Sequence, residues 1–557
     1  MVKKNYQSLI KSNTPKYISF FALATSLIIT PNFNKESITI PKLVLLSALG
    51  SYLLPCLFNC IKYLYNSRAG RILVYLQLLT IMQLIIVLIV STAPLEQQFF
   101  GRSGRSMGLI THISLTIVLI SAARYYHLSN IKILIRSFSL STIVVAAYSI
   151  MQSFKVDFVN WDSRTNQVIG TLGNPNFVSA LIAASAVSII VNFTKRNILM
   201  VATIILLTIF AIHRTESIQG FIVLFISFAG FSISLVHFYY KKFLVPAFLL
   251  LLFFSIILIS SSLGHGPFAR YLYKVSIQSR GDFWRSGFSM ANDNPLFGVG
   301  IDAFGDRYLE YRDQIAANHT FAEFSDSAHN YFLDYAAQGG YLLAALYFFT
   351  IFLVFFSFIN VQRKADFFSK ELVAIFCSWL ALQSSFLISP MSIPLMLWSI
   401  ILAGAIIGIS ISFNFKESIE TIKVYDKLDS NLKPFKTISV FLMMILVFPL
   451  FNTDRLYLKS LKESNGDLGI KVVEMFPRSV NRYFTVGKLL WESGENQFSL
   501  QVARSSVKFN DNSINSWGLI LINPLASYEE RVQAKKRILE LDPYNKEVPD
   551  YVISASN

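Results

Sequence analysis

"FLVPAFLLLLFFSIILI", residues 243–259, carries no charged side chain, and neither does "LLTIMQLIIVLIV", residues 78–90. Each lies in a stretch of about 20 residues almost free of charge, enough to cross a ~30 Å hydrocarbon core as a helix. The pattern holds along the chain. Of 557 residues, 53% are hydrophobic and 15% charged, where a soluble chain carries roughly a quarter charged residues. The sequence therefore reads as an all-α, polytopic membrane protein.

About 13 spans are expected: 17–31, 42–60, 72–91, 108–123, 137–152, 176–193, 197–212, 217–238, 243–262, 335–359, 371–389, 392–412 and 437–452. The N-terminal "MVKKNYQSLIKSNTPK" is charged, but no small-residue cleavage site follows the first apolar run. That run reads as a retained span.

Orientation follows from lysine and arginine in the short loops. With Lys3, Lys4, Lys11 and Lys16 inside, alternation puts Lys62, Arg68, Arg71, Arg124, Lys132 and Arg136 inside as well. Lys195, Arg196, Lys241, Lys242, Arg363, Lys364, Lys370 and the Lys416–Lys436 loop follow the same side. The net charge of +16 thus reads as membrane topology, with no nucleic-acid partner. The expected location is the cytoplasmic membrane, N-terminus inside. Loop 153–175, the long loop 263–334 and everything after about 453 fall outside.

Two domains follow: a membrane domain over 1–452, with an outer catalytic loop at 263–334, and a soluble helical region over 453–557. In the latter, Pro477, Asn510 and Pro543 recur at spacings of 33 within similar surroundings. A period near 34 with paired helices is the tetratricopeptide pattern, here degenerate. Cys56, Cys60 and Cys377 all fall in expected spans, so no disulfide framework is implied.

Signals of soluble enzymes are missing. The sequence has no GxxxxGK[ST], no GxGxxG opening a helix, no zinc-type His/Cys cluster and no Asp-x-Asp pair. An enzyme of this kind takes a substrate that arrives already activated. The chemically dense part is the long outer loop. "SIQSRGDFWRSGFSMANDNPLFGVG", 276–300, predicts a helix ended by the turn "NDNP". Arg280 and Trp284 share a face at i, i+4, and Arg285 points elsewhere. Arginine offers a fixed charge and a planar fork suited to phosphate. At the loop's end "SAHNYF" brings His329 to the membrane surface, where an imidazole can take a proton from a hydroxyl.

"GTLGNPNFVSALI" (170–182), "SRGDFWRSGFSMANDNPLFGVGIDAF" (279–304) and "SAHNYFLDYAAQGG" (327–340) together resemble the motifs of the bacterial O-antigen ligase/polymerase family, over roughly 90–412. Those are membrane glycosyltransferases of the GT-C type. The resemblance implies transfer of a glycan from a polyprenyl-diphosphate lipid to an acceptor hydroxyl on lipid A–core, a growing glycan or a protein, with no metal or cofactor. His329 then matches the family's loop histidine, as general base, and Arg280 its diphosphate-binding arginine. Asn174, Asn176, Trp284 and Asn330 become substrate-binding candidates, Asn330 as a residue orienting the histidine or the acceptor. The family's T-x-S-R element appears as "HRTESIQGF", 213–221, with Ile218 where arginine is expected; Arg214 is the candidate replacement. Gln338 stands where an acidic residue is common.

Ligase, surface-polysaccharide polymerase and protein O-oligosaccharyltransferase are not separated by these motifs. A reading of another class is a lipid-linked glycan transporter. It lacks the duplicated halves that such proteins often have.

Overall fold

The computed structural model describes residues 12–159, 161, 167–193, 198–262, 264–272, 275–319, 324–364, 368–414, 428–429 and 431–553. Lys3, Lys4, Lys11, Lys195, Arg196 and most of the Lys416–Lys436 loop, used above for orientation, lie outside them. Among the described residues the regular elements are all helical. Nine helices among the described residues are long and apolar enough to cross a membrane. The other four runs expected as spans are the shorter helices Thr14–Leu27, Leu109–Tyr125, Ile198–Arg214 and Lys370–Phe386. A helix of 17 residues, such as Lys370–Phe386, rises only about 26 Å, short of a full ~30 Å core.

Ile393–Asn414 lies at the centre of the bundle, almost wholly buried, against Leu109–Tyr125. Gly404 and Gly408 make that approach possible. A Cβ on Gly404 would stand 2.6 Å from the Ala122 Cβ, and one on Gly408 2.4 Å from the Ala123 carbonyl oxygen. Small residues four apart let membrane helices touch backbone to backbone. At the other extreme, Lys241–Leu258 buries none of its apolar window against protein, as suits a helix solvated by lipid. The three cysteines are free and buried.

Loops converge at the two ends of the bundle. At one end Glu36 accepts from the Gly104 N–H (2.8 Å), its own N–H donates to Asp454 (3.0 Å), and Glu96 pairs with Arg478 (2.7 Å). At the opposite end Asp429 accepts from Tyr125 (2.6 Å) and Asn59 (2.9 Å).

The helix Lys433–Lys462 runs without a break past residue 453, with Pro449 inside it. Beyond it come Gly466–Val473 and then Val480–Glu492, Asn496–Phe509, Ile514–Ile522 and Tyr528–Leu541, with successive helices packed on each other. Pro477, Asn510 and Pro543 all fall in the turns between or after these helices.

The return helix Tyr331–Lys364 is interrupted at Gly340, where φ is +81° and ψ 169°. Backbone groups freed by a break near the membrane need partners. The segment "NPLFGVG" supplies them. Val299 N–H donates to Ala337 O (2.8 Å), Gly300 N–H to Gln338 O (3.2 Å), and Tyr341 N–H to Pro295 O (2.9 Å). Gln83 Nε2 donates to both Gly339 O (2.9 Å) and Leu296 O (2.6 Å). The backbones approach so closely that a Cβ on Gly340 would lie 2.4 Å from Leu296 C and O, and one on Gly298 2.4 Å from Gln338 C.

Gly340→Ala is expected to destabilise the protein by ~2 kcal/mol or more, since it combines a glycine-only conformation with a backbone clash. Gly339→Ala should cost less, because its closest obstruction is the flexible end of Leu343. Thermal unfolding of the two purified variants in detergent checks the order; equal midpoints would contradict it.

Candidate active site

The loop helix Val275–Asp293 leads into the stitched segment. On it, Arg280 is half-buried and its Nε donates to the carbonyl of Ile388 (2.8 Å); burial lowers its pKa. Trp284 packs beside the small apolar cluster of Phe283, Met290, Tyr308, Ala328 and Leu333. Its buried indole N–H has no partner among the described residues. Arg285 turns away, to Asp313 (2.6 Å) and Asp282 (2.6 Å).

His329 sits at φ +55°, an uncommon conformation for a residue with a side chain. Its neighbours hold it there. The His329 N–H donates to Ser327 Oγ (2.9 Å). Ser327 Oγ in turn donates to Asp334 Oδ2 (2.8 Å), while Asp334 Oδ1 accepts from the Ala328 N–H (2.7 Å). The imidazole lies 5.0 Å from the Phe283 ring, tilted by 31°. Its Nδ1 is 3.2 Å from the Ser327 carbonyl. A carbonyl only accepts, so Nδ1 carries the hydrogen and Nε2 keeps the lone pair.

The charge around this ring is positive. Arg105, from the turn "GRSGRSMG", grips Asp326 through Nε (2.8 Å) and a second, shorter contact. Burial first, then Arg105, with a smaller push from Arg280, lowers the His329 pKa from 6.5 to about 4; the Ser327 carbonyl and Asp326 act the other way. Burial opposes ionisation of Asp326, but Arg105 still holds its pKa below the ordinary value. The imidazole is therefore neutral at pH 7, with a base weaker than an exposed histidine.

The turn between Lys370–Phe386 and Ile393–Asn414 ties three helices to this place. Ile388 O receives Arg280. Ser389 Oγ donates to Gln219 Oε1 (2.7 Å). The Ser392 N–H donates to Tyr331 OH (3.0 Å), and that ring stacks on Phe386 at 4.1 Å. Gln219 is 3% exposed, and its Nε2 has no partner among the described residues. It lies in the first turn of Ile218–Tyr239, which no side chain caps. The Ser217 hydroxyl instead donates to Asn176 Oδ1 (2.6 Å).

The other expected residues have visible local duties. Asn174 caps Pro175–Ala184, accepting from the Asn176 N–H (2.8 Å). Asn330 Oδ1 accepts from the N–H groups of Phe332 (3.0 Å) and Leu333 (3.2 Å), capping the return helix. Arg214 is exposed, donating to Ser153 O (2.9 Å) near the Phe154 ring. Gln338 Oε1 accepts from the Asp302 N–H (2.8 Å), so it braces the stitched segment. Arg280 and His329 are thus brought to one place, and Asn176 joins Ser217 in the T-x-S-R region. Arg105, Asp334 and Gln219 were not singled out by sequence. An acid one turn into the helix after "SAHN" was the available signal for Asp334.

Fold and site together define a multi-pass helical membrane protein that presents a histidine and an arginine where a long loop returns to the bundle. Residues 180–348 match the family model described as O-antigen ligase. The match supports membership of the O-antigen ligase/polymerase family; it spans Arg214, Gln219, Arg280, Asp334 and His329 and leaves out Asn174, Asn176 and the C-terminal helices. No curated protein matches the chain significantly.

Asp334→Ala removes the acceptor of two hydrogen bonds that shape the His329 turn. Two hydrogen bonds together contribute about 1–3 kcal/mol, so the variant should lose stability on that scale and slow turnover without touching substrate. Asp334→Asn should recover part of both. Unfolding and turnover measured together test this, and a normally active Asp334→Ala would remove Asp334 from the site.

Proposed function

We propose that the protein moves a glycan from a polyprenyl-diphosphate lipid to an acceptor hydroxyl, at the outer face of the cytoplasmic membrane. The observation that carries this reading is the pairing of His329, its Nε2 lone pair fixed by the Nδ1 contact to Ser327 O (3.2 Å), with Arg280 anchored on Ile388 O (2.8 Å). The acceptor oxygen attacks the anomeric carbon as its proton passes to Nε2. The bond from that carbon to the diphosphate breaks, and polyprenyl diphosphate leaves. Direct displacement inverts the anomeric centre and needs no metal. Arg280 faces the negative charge that grows on the leaving group. Where the family's second arginine is absent, the Gln219 amide and the uncapped first turn of Ile218–Tyr239 offer N–H donors suited to phosphate.

The 13-span topology belongs to the same reading. Loop contacts at the two bundle ends sort the connections as the lysine/arginine alternation does, which supports placing loop 263–334 and the tail on one side. The C-terminal helical hairpins are read as a degenerate tetratricopeptide-like region.

With purified lipid-linked glycan and EDTA present, His329→Ala and His329→Gln should bind donor and transfer ~10²–10⁴-fold more slowly. Arg280→Ala should cost about 2–5 kcal/mol in transition-state stabilisation, with Arg280→Lys in between. Gln219→Glu should weaken donor binding by placing an anion against phosphate, and Arg214→Ala reports whether that residue also contributes. Lipid flipping in liposomes without transfer would favour the transporter instead.

The pH dependence follows from the depressed histidine. In the free protein the base stays unprotonated down to about pH 4, so kcat/KM should hold across neutral pH and fall only on approaching that value. Bound diphosphate offsets Arg105 and Arg280, raising the imidazole pKa, so the acid limb of kcat should sit at higher pH than that of kcat/KM. Coincident limbs near 6.5 would contradict the described environment.

A further inference from the structure

The C-terminal helices do not stand apart from the outer loop. Asp542, at the end of Tyr528–Leu541, takes both bonds from Arg312 NH2 (2.8 and 2.9 Å), and the pair is 10% and 4% exposed. Two further contacts flank it: Asn510 Nδ2 donates to Asp306 (3.0 Å) and Lys546 Nζ to Asn318 (3.2 Å). The loop segment held in this way, 306–319, grips the loop helix on its other side. Asp313, next to Arg312, accepts from Arg285 (2.6 Å). Asp313 also caps Gln314–Asn318 through the Ala316 N–H (2.7 Å). That short helix ends at His319, whose Nδ1 meets Asp282 (2.9 Å), and Tyr308 packs edge-on against Phe283 at 5.7 Å. Asp282, Phe283 and Arg285 sit on the turn that follows Arg280, and Phe283 faces the His329 ring.

From this we infer that the C-terminal region is a clamp on the outer loop, with Asp542 and Arg312 as positioning residues for the helix that carries Arg280. One guanidinium nitrogen of Arg312 reaches both oxygens of Asp542, a charge-assisted contact stronger than a neutral hydrogen bond. Buried as it is, it loosens sharply when one partner is lost, because the remaining charge has no compensation. An element recruited only to bring an acceptor close would need no such bond to the loop that holds the donor site.

The test uses the full-length protein in detergent or nanodiscs, with Asp542→Ala, Arg312→Ala, the double variant and the isosteric Asp542→Asn. Hydrogen exchange of amides 279–291 is read without substrate. Each single variant should raise it by about tenfold or more, with the tail's own helices still protected. The double variant should exceed neither single, since both break one pair. Arg504→Ala, which breaks an exposed pair with Glu530 inside the tail, should leave 279–291 unchanged. Turnover should fall with the exchange, by about tenfold or more. That second arm rests on the glycan-transfer reading, whereas the exchange arm does not, so the two can fail separately. Unchanged exchange at 279–291 in folded Asp542→Asn and Arg312→Ala would overturn the clamp, as would additive effects in the double variant.

Discussion

The site depends on a break in a helix. At Gly340 the return helix gives up part of its own hydrogen-bond ladder, and the "NPLFGVG" backbone takes it over. Near a membrane such groups have no water to turn to, so the exchange is obligatory rather than decorative. It fixes the far end of the long loop against the first turns of the return helix. The loop helix then lies alongside "SAHN", and Arg280 and His329 share a neighbourhood although they stand 49 positions apart in sequence. Two glycines allow the contact: Gly298 on one strand of backbone and Gly340 on the other.

Around that junction the chain concentrates polar groups that answer one another. Asp334 shapes the histidine turn, Arg105 secures Asp326, and Ile388 O anchors Arg280. Burial, with the positive charge of Arg105 and Arg280 added to it, keeps the imidazole neutral, and on the proposed function the same charge suits a diphosphate. On the proposed function, the bound diphosphate would relieve the field that weakens the base, so the ligand primes the site.

Much of the fold was legible because it rests on local pattern. Uncharged runs marked the helices, and "NDNP" marked the end of the loop helix at Asp293. The i, i+4 spacing separated Arg280 from Arg285. What escaped depends on partners far away in sequence. The run 335–359 reads as unbroken, because Gly340 changes the backbone without changing hydropathy. Gln219, Arg105 and the turn at 387–392 gain their place from contacts that no window of sequence contains. Asn174 and Asn330 were legible as important but ambiguous in role, since asparagine is favoured both at helix caps and in polar sites. The charge at Arg214 was visible, but its direction, toward Ser153 and Phe154, was not.

The helix Lys433–Lys462 joins membrane and tail as one rod of 30 residues. At 1.5 Å per residue it is about 45 Å long, roughly 15 Å more than the hydrocarbon core it is suited to cross. A flexible linker would let the tail wander; a rod sets its height above the bilayer and transmits any tilt of the last span. The tail is then held at a set height, and the loop segment it grips through Arg312 and Asp542 is held at that height with it.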